Sequence, residues 1–385
     1  MKNLKICSCI LVALLISSAA FSQDSTRTFT LSGSIDVYAR TALGSENAML
    51  GGYGPSSAFA NLKGFSLGMA NLIASYNGEK AGFVADLVFG PRGKDAVFME
   101  EGFTGQRIIN QMYGYLKLGE GVTLNLGQFN TFLGYEVISP AINVNYSTSY
   151  LFSYGPFTHT GLRADFTFGN GMVGKLAVMN PTDMLEFNPV NTYTFGAQIG
   201  KTSDAGGVWL NFLYGDQDGK LDEDDNPFDD QGDFLTSAGS LFQADLTLGY
   251  NLSEKFYLGL NTSIQTVAVG EEFTAPGAIG DSEGDASSFY GVAVYPKFTL
   301  SDAFVLGLRG EYFSEQKNHL GIIGLDENGD GDVFALTASG NISVGGLILI
   351  PEVRLDKTSE DSFLDKDGDP TDSMISLLFA AVYKF

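Results

Sequence analysis

The sequence predicts an all-β protein, a transmembrane antiparallel up-and-down β-barrel of about sixteen strands. Segments in which apolar and polar residues alternate recur from residue 29 to the chain end, and the connections between them are alternately short and long. After the N-terminal segment, no stretch has the about 18 apolar residues that a membrane helix needs. Without such a helix, a chain can satisfy its backbone inside a bilayer only as a closed barrel. The alternative is an ordinary secreted β-sandwich.

Residues 1–22 have the pattern of a secretory signal peptide: two lysines, a short apolar core and small residues before Gln23. We expect cleavage there, which leaves residues 23–385 as a single outer-membrane barrel domain. Both cysteines, Cys7 and Cys9, lie in the signal. The mature chain would then have no disulfide and no thiol chemistry.

The first predicted strand, FTLSGSIDVYART at residues 29–41, shows the alternation most clearly. Its length is sufficient to cross a bilayer at a tilt. Later strands are predicted at 65–76, 83–89, 112–118, 122–128, 162–168, 172–179, 193–200, 208–214, 242–248, 256–264, 289–298, 306–312, 333–342, 347–355 and 374–385. The register of 65–76 is ambiguous.

The charged strand residues support one polar and one apolar face. All of them fall on the polar side of the alternation. A charged side chain on the opposite, lipid-facing side would cost about 2–4 kcal/mol near the bilayer midplane. They would line a water-filled lumen and set its selectivity, or form structural ion pairs. The candidate pore-lining residues are Asp36, Arg40, Asp86, Glu136, Arg163, Asp165, Asp245, Arg309, Glu311, Glu352 and Arg354.

Seven short connections rich in Gly, Asn, Ser and Asp separate eight long ones, which gives fifteen connections for sixteen strands. Short periplasmic turns and long outer loops are typical of outer-membrane barrels, and both termini would be periplasmic. Pro296 and Pro351 fit poorly, because a closed barrel has no free edge. We expect a bulge or a strand end at each.

The last strand alternates up to the terminal Phe385. An aromatic chain end of this kind resembles the signal that the barrel-assembly machinery recognises. We therefore expect two partners, this machinery and the lipid of the outer membrane. The simpler alternative is an aromatic girdle at the end of the strand.

The outer loops of the second half are acidic. Loops 215–239, 265–288, 314–332 and 357–372 together carry a charge of −21, against −23 for the whole chain. An acidic rim should repel anions and concentrate cations. Asp326, Asn328 and Asp330 have the spacing of half a calcium loop, but Thr337 stands where the closing Glu would be. We consider calcium in the outer loops as an optional ligand, and a solvated loop as the alternative; no cofactor is required.

Loop 130–160 is long and carries Glu136 as its one formal charge. Such a weakly charged, aromatic loop would be unusual in water. We expect it to fold into the lumen and narrow it. The alternative is that the loop packs against a neighbouring subunit or loop. A homo-oligomer is therefore possible.

Several segments resemble the OmpL-like putative porins of Bacteroidetes-type bacteria. They are GSIDVYAR (Gly33–Arg40), NYSTSYLFSYGPFTHTGLRADF (Asn145–Phe166), IPEVRLD (Ile350–Asp356) and the terminal Tyr383-Lys384-Phe385. The resemblance implies an outer-membrane pore without catalytic residues.

The main functional hypothesis is passive diffusion of ions or small polar solutes. A substrate-specific uptake barrel for an apolar or sugar ligand, and a structural or adhesion barrel that does not conduct, are the alternatives. A barrel hydrolase would need a serine–histidine pair, but His159 and His319 both fall in predicted loops without a nucleophile motif. No basic patch for nucleic acid occurs.

Overall fold

The computed structural model describes residues 27–47, 57–97, 108–222, 224, 226–228, 232–281 and 286–385. Within these ranges, sixteen strands form one closed antiparallel barrel, so the predicted fold class is confirmed. The predicted signal peptide lies outside the described residues. In chain order, the barrel strands are β1 (Thr28–Leu43), β2 (Gly64–Asn77), β3 (Ala81–Phe89), β4 (Ile109–Lys117), β5 (Val122–Asn130), β6 (Thr158–Gly169), β7 (Met172–Met179), β8 (Thr194–Ser203), β9 (Gly206–Gly215), β10 (Leu241–Asn251), β11 (Phe256–Val267), β12 (Ser287–Ser301), β13 (Phe304–Gln316), β14 (Gly331–Val344), β15 (Leu347–Thr358) and β16 (Ser373–Lys384).

The two chain ends close the barrel. Strand β1 pairs with β16 from Ser34 opposite Lys384 to Leu43 opposite Ile375. One step further, Gly33 and Phe385 exchange both backbone hydrogen bonds, at 3.1 and 3.0 Å. The terminal residue therefore lies in the seam itself.

The barrel is apolar outside and polar inside, the reverse of a water-soluble protein. On β1, Ile35 and Val37 are 55% and 48% exposed, whereas Asp36 between them is 4% exposed. Phe195 and Ile199 of β8 are likewise exposed, while Thr194 is fully buried. An outer surface of this kind is stable only against lipid.

Strand β2 owes its ambiguous register to a β-bulge. Ile35 pairs with Ala70, but Val37 pairs with Leu67, so β2 has one extra residue opposite Asp36. Gly68 and Met69 are consequently both buried. The alternation changes phase at this point, and no single period fits the whole strand.

The prediction of a bulge or a strand end at each of the two prolines is wrong. Pro296 pairs with Leu258 inside β12, and Pro351 pairs with Phe379 inside β15. On the other side of each proline, the pairing keeps its register. Between β12 and β13 it is the same at Val294 and at Lys297, and between β14 and β15 it is the same before and after Pro351. Each proline omits a backbone donor on one side only, and the neighbouring pairs keep the strand in place.

Connections at the end that holds the termini have two to four residues, and those at the opposite end have 14 to 27. The long connections contain helices α1 (Pro91–Ala96) and α2 (Tyr150–Ser153). They also contain two small sheets, one of Thr236–Ser237, Glu271–Ala275 and Ala278–Asp281, the other of Ser45–Asn47, Phe363–Asp365 and Pro370–Thr371. In the described part of the chain, no helix has the length and apolar character to cross a membrane.

Candidate functional site: the barrel interior

Residues 131–157, which we call the lumen segment, connect β5 to β6 and lie against the inner wall. Their contacts extend from β8, where Gln198 donates to the Phe132 carbonyl at 3.1 Å, to β14, where Asn341 donates to the Val144 carbonyl at 2.8 Å. The segment thus reaches the wall opposite its own strands. The sequence predicted that this loop turns inward; its effect on conduction remains a prediction.

Two inward glutamates hold the backbone of the lumen segment. Glu352 of β15 accepts hydrogen bonds from the Tyr146 and Ser147 N–H groups at 2.7 and 3.1 Å. Glu311 of β13 accepts from the Tyr150 and Leu151 N–H groups at 2.9 and 2.8 Å. Bonds to an ionised carboxylate are about twice as strong as neutral ones. They satisfy donors that the irregular backbone would otherwise leave buried and unpaired.

A buried ion pair joins the segment to the wall. Arg309 of β13 binds Glu136 of the segment at 2.8 Å, and both side chains are almost fully buried. Arg309 also donates to the Ser147 carbonyl at 2.6 Å, and Glu136 accepts from the Ser149 N–H at 2.7 Å. Every charge at this contact therefore has an opposite charge or a backbone partner, as burial requires.

A second charged group surrounds α2. Arg354 of β15 binds Asp356 at 2.8 Å and donates to the Thr148 carbonyl at 2.8 Å. The Tyr150 hydroxyl donates to Asp356 at 3.0 Å. Ser149 caps the helix by accepting from the Phe152 N–H at 3.0 Å. The nearby Arg40 donates to the Asn61 carbonyl at 3.0 Å.

Asp36 and Asp245 also bind the segment. Asp36 accepts from the Tyr146 hydroxyl and, at 3.1 Å, from the Met69 N–H at the β2 bulge. Asp245 accepts from the Gly134 N–H at 3.0 Å and from Asn211 and Asn261 of the wall. Asp86 differs, because it accepts from three wall amides, Asn71, Asn110 and Gln111.

Arg163 and Asp165 are the predicted pore-lining residues that remain most open. Arg163 binds Asp165 at 2.8 Å, and Lys175 binds the same carboxylate at 3.2 Å. The three side chains are 12%, 28% and 25% exposed, in the order Arg163, Asp165, Lys175. Arg163 and Lys175 contribute to the wall of a cavity of about 780 Å³.

We call this cavity the vestibule. Phe132 and Tyr135 of the lumen segment bound it on one side, and the wall from Gln198 to Trp209 and Tyr257 on another. Thr202, Ser203 and Gly206 also line it, and they adjoin a short connection. The vestibule therefore lies toward the end of the barrel where the termini are.

Sequence reasoning missed Arg92 of α1. Its guanidinium lies 4.5 Å from the Phe59 ring centroid and 5.0 Å from that of Tyr146, and it donates to the Ile138 carbonyl at 3.0 Å. Arg92 belongs to a predicted outer loop, where no alternation marks an inward side chain. Trp209 was missed as well, although it stands on the polar face of β9.

The acidic calcium-loop motif forms a turn that is closed by its own backbone. Asp326 accepts from the Asn328 and Asp330 N–H groups at 2.8 and 3.0 Å, and these bonds, that of Asp330 first, hold its pKa below the usual range. Asp365 forms the same turn with Asp367 and Asp369. No cluster of three or more metal-ligating side chains occurs in the described ranges.

Solved structures share this fold at low sequence identity. A loop-deletion mutant of OmpT, an outer membrane protein of Vibrio cholerae, has a TM-score of 0.57 and 11% identity, covering 94% of this chain and 100% of its own. The outer membrane channel DcaP of Acinetobacter baumannii has a TM-score of 0.58 and 12% identity, covering 95% and 99%. An anion-selective porin from Comamonas acidovorans has a TM-score of 0.57 and 11% identity, covering 93% and 100%.

The sequence itself identifies the family. No match was found among curated protein sequences. The model of the family described as "Putative beta-barrel porin-2, OmpL-like" matches residues 28–385, nearly the whole chain. The protein therefore belongs to this family of outer-membrane β-barrel porins.

Proposed function

We propose that the protein is a passive channel for ions and small polar solutes, with the lumen segment as its constriction. The observation that carries the proposal is the closed barrel with a polar inner face and a vestibule of about 780 Å³. Barrels of about sixteen strands are wide enough to leave an aqueous channel. The buried bonds of Glu311 and Glu352 support a segment held at a fixed position across that channel.

The acidic outer loops give the proposed channel a preference for cations. The four loops of the second half carry most of the net negative charge. Cations would accumulate at such a mouth and anions would be repelled. Calcium at Asp326, Asn328 and Asp330 is a secondary proposal, and a titration with CaCl₂ tests it.

We infer no catalytic activity. His319 is the histidine closest to a hydrolase arrangement, because its Nδ1 lies 2.8 Å from the Ser287 hydroxyl. Its Nε2 lies 3.0 Å from the Gln265 carbonyl oxygen, a neutral group. A serine hydrolase instead orients the base with a carboxylate at Nδ1. His159 is fully buried and contacts Thr131 at 3.0 Å.

Recordings in planar bilayers test the proposal. The refolded protein should insert as discrete conductance steps, and a KCl gradient should give a reversal potential of the sign for cations. A reversal potential for anions would contradict the role of the rim. A silent bilayer, with folding verified by circular dichroism, would favour the structural or adhesion barrel. A homo-oligomer, which the native mass in detergent measures, is compatible with either outcome.

A further inference from the structure

The inner wall of the vestibule carries an indole that lies flat against the sheet. Trp209 of β9 pairs with Gly200 of β8, and Gly207 precedes it by two residues on the same face. A Cβ on Gly200 would collide with Trp209 Cδ1, and a Cβ on Gly207 would collide with Cη2. Both glycines are therefore required for the ring to lie along the wall with its other face toward the vestibule.

A second aromatic ring repeats this arrangement two strands further. Tyr257 of β11 covers Gly249 of β10, where a Cβ would collide with the Tyr257 hydroxyl. That hydroxyl lies 3.1 Å from the hydroxyl of Tyr135, whose ring stacks on Tyr295 at 4.1 Å between centroids. The vestibule thus has aromatic rings on its wall and on the side of the lumen segment, and the Lys297 ammonium lies 4.4 Å from the Tyr257 ring centroid.

Neutral amides and hydroxyls surround these faces. Gln198 donates to the Phe132 carbonyl at 3.1 Å and to Asn211 at 2.7 Å, and Thr202 and Thr247 line the cavity beside them. Of the nearby charges, Arg163 and Lys175 both bind Asp165, and Lys297 contacts the Tyr257 ring. Among the described residues that line the vestibule, the charged ones are Arg163 and Lys175, both paired with one carboxylate, and the others are neutral.

We propose that the vestibule binds a short neutral oligosaccharide, with Trp209 as the stacking platform and Tyr257 as a second aromatic contact beside it. A sugar ring has an apolar C–H face, which matches the flat indole, and hydroxyls at its edge, which match the amides. The cavity volume falls in the range of about 300–1,000 Å³ typical of small-molecule sites. The inference rests on the proposed channel function, because it names the solute class that the channel would favour.

Trp209 is the single tryptophan of the chain, so its fluorescence reports directly on the site. The refolded full chain, in a detergent without a sugar headgroup, is titrated with maltotriose, with cellotriose and with benzoate as a flat anion. We expect a saturable change in emission with at least one trisaccharide. Tyr257→Leu should weaken that binding about tenfold. Phe212→Leu, on the lipid face of the same strand as Trp209, should leave it unchanged.

Blocking of the current by the same trisaccharide is the second measurement, and it also allows Trp209→Leu to be tested. In that variant, about ten times more trisaccharide should be needed to block the current, while the open-channel conductance is unchanged. Circular dichroism and heat-modifiable gel mobility verify that each variant is folded.

The outcomes separate this inference from the channel itself. Emission unaffected by both trisaccharides in a folded, conducting protein overturns the inference alone. Saturation by benzoate without a saccharide response overturns it in favour of an aromatic anion. Saturable emission in a protein that does not conduct supports the binding site and overturns the channel.

Discussion

At the residue scale, the inward carboxylates of β13 and β15 bind backbone N–H groups as well as contributing charge to the barrel interior. Glu311 and Glu352 each accept two consecutive N–H groups of the lumen segment, and both are nearly fully buried. The sequence left two roles open for such residues, selectivity and structural pairing. Their contacts favour the structural role, and the more open Arg163 and Asp165 are better placed to act on a passing solute.

The double variant Glu311→Gln, Glu352→Gln should loosen the lumen segment. Each amide keeps one oxygen as an acceptor, so one of the two N–H groups loses its partner, at a cost of about 1–3 kcal/mol, and the other loses the charge assistance. We expect larger and noisier single-channel conductance with the barrel intact. Glu360→Gln, the same change in an exposed outer loop, is the matched control. Unchanged conductance in the folded double variant would contradict the role of these carboxylates.

The sequence predicts which residues point inward, but it does not predict what they contact. Alternation placed Asp36, Arg309 and Glu352 on the polar face because a strand has a period of two. Their partners come from an irregular segment whose path depends on many separate hydrogen bonds. Arg92 shows the same limit, since only tertiary packing places it between Phe59 and Tyr146.

At the scale of elements, the strands followed local patterns and the exceptions have local causes. The bulge in β2 adds one residue opposite Asp36, and this shift hid the register of the strand. The two prolines do not end their strands, because each removes one backbone donor on one side only. In a barrel each strand has two neighbours, and the pairs on the other side continue through Pro296 and Pro351.

Loop 317–330 should loosen under acid through His319. Burial lowers the pKa of His319 from its ordinary 6.5 to about 4, so the imidazole is neutral where it contacts Ser287 and Gln265. The folded pKa lies below the unfolded one. The stabilisation is therefore present above pH 6.5 and is lost as the pH falls from 6.5 to about 4.

Hydrogen exchange of peptides from this loop, corrected for intrinsic rates, measures the effect. Protection should fall between pH 6.5 and 4 in the wild type and stay flatter in His319→Gln. Equal pH dependence in both proteins would show that another group controls the loop.

At the scale of the whole molecule, alternation, connection lengths and strand charges together led to the barrel and its strand count. These features are repeated along the chain, so an error in one strand does not alter the whole. The vestibule had no such signal. It depends on glycines and aromatic residues that are brought together across four strands, and spacing along the chain does not show which ring covers which glycine.

The proposed acidic rim would be a property of the whole molecule rather than of one residue. Replacing the Asp and Glu residues of loop 216–240 with their amides should reduce cation selectivity, measured as the reversal potential in a KCl gradient. The effect should be larger at 0.01 M than at 1 M salt, because the Debye length falls from about 30 Å to about 3 Å. Amide replacement of Glu79 and Glu120, in the short connections, is the control. Equal selectivity in both variants would contradict the rim.

The most direct test of the proposed channel compares single-channel conductance before and after removal of the proposed constriction. In the variant, residues 136–153 are replaced by a short Gly-Ser linker and the barrel strands are kept. Both proteins should conduct, and the variant should conduct several times more current per step in the same salt. Equal conductance in both, or silence in both with intact β-sheet circular dichroism, would contradict the account.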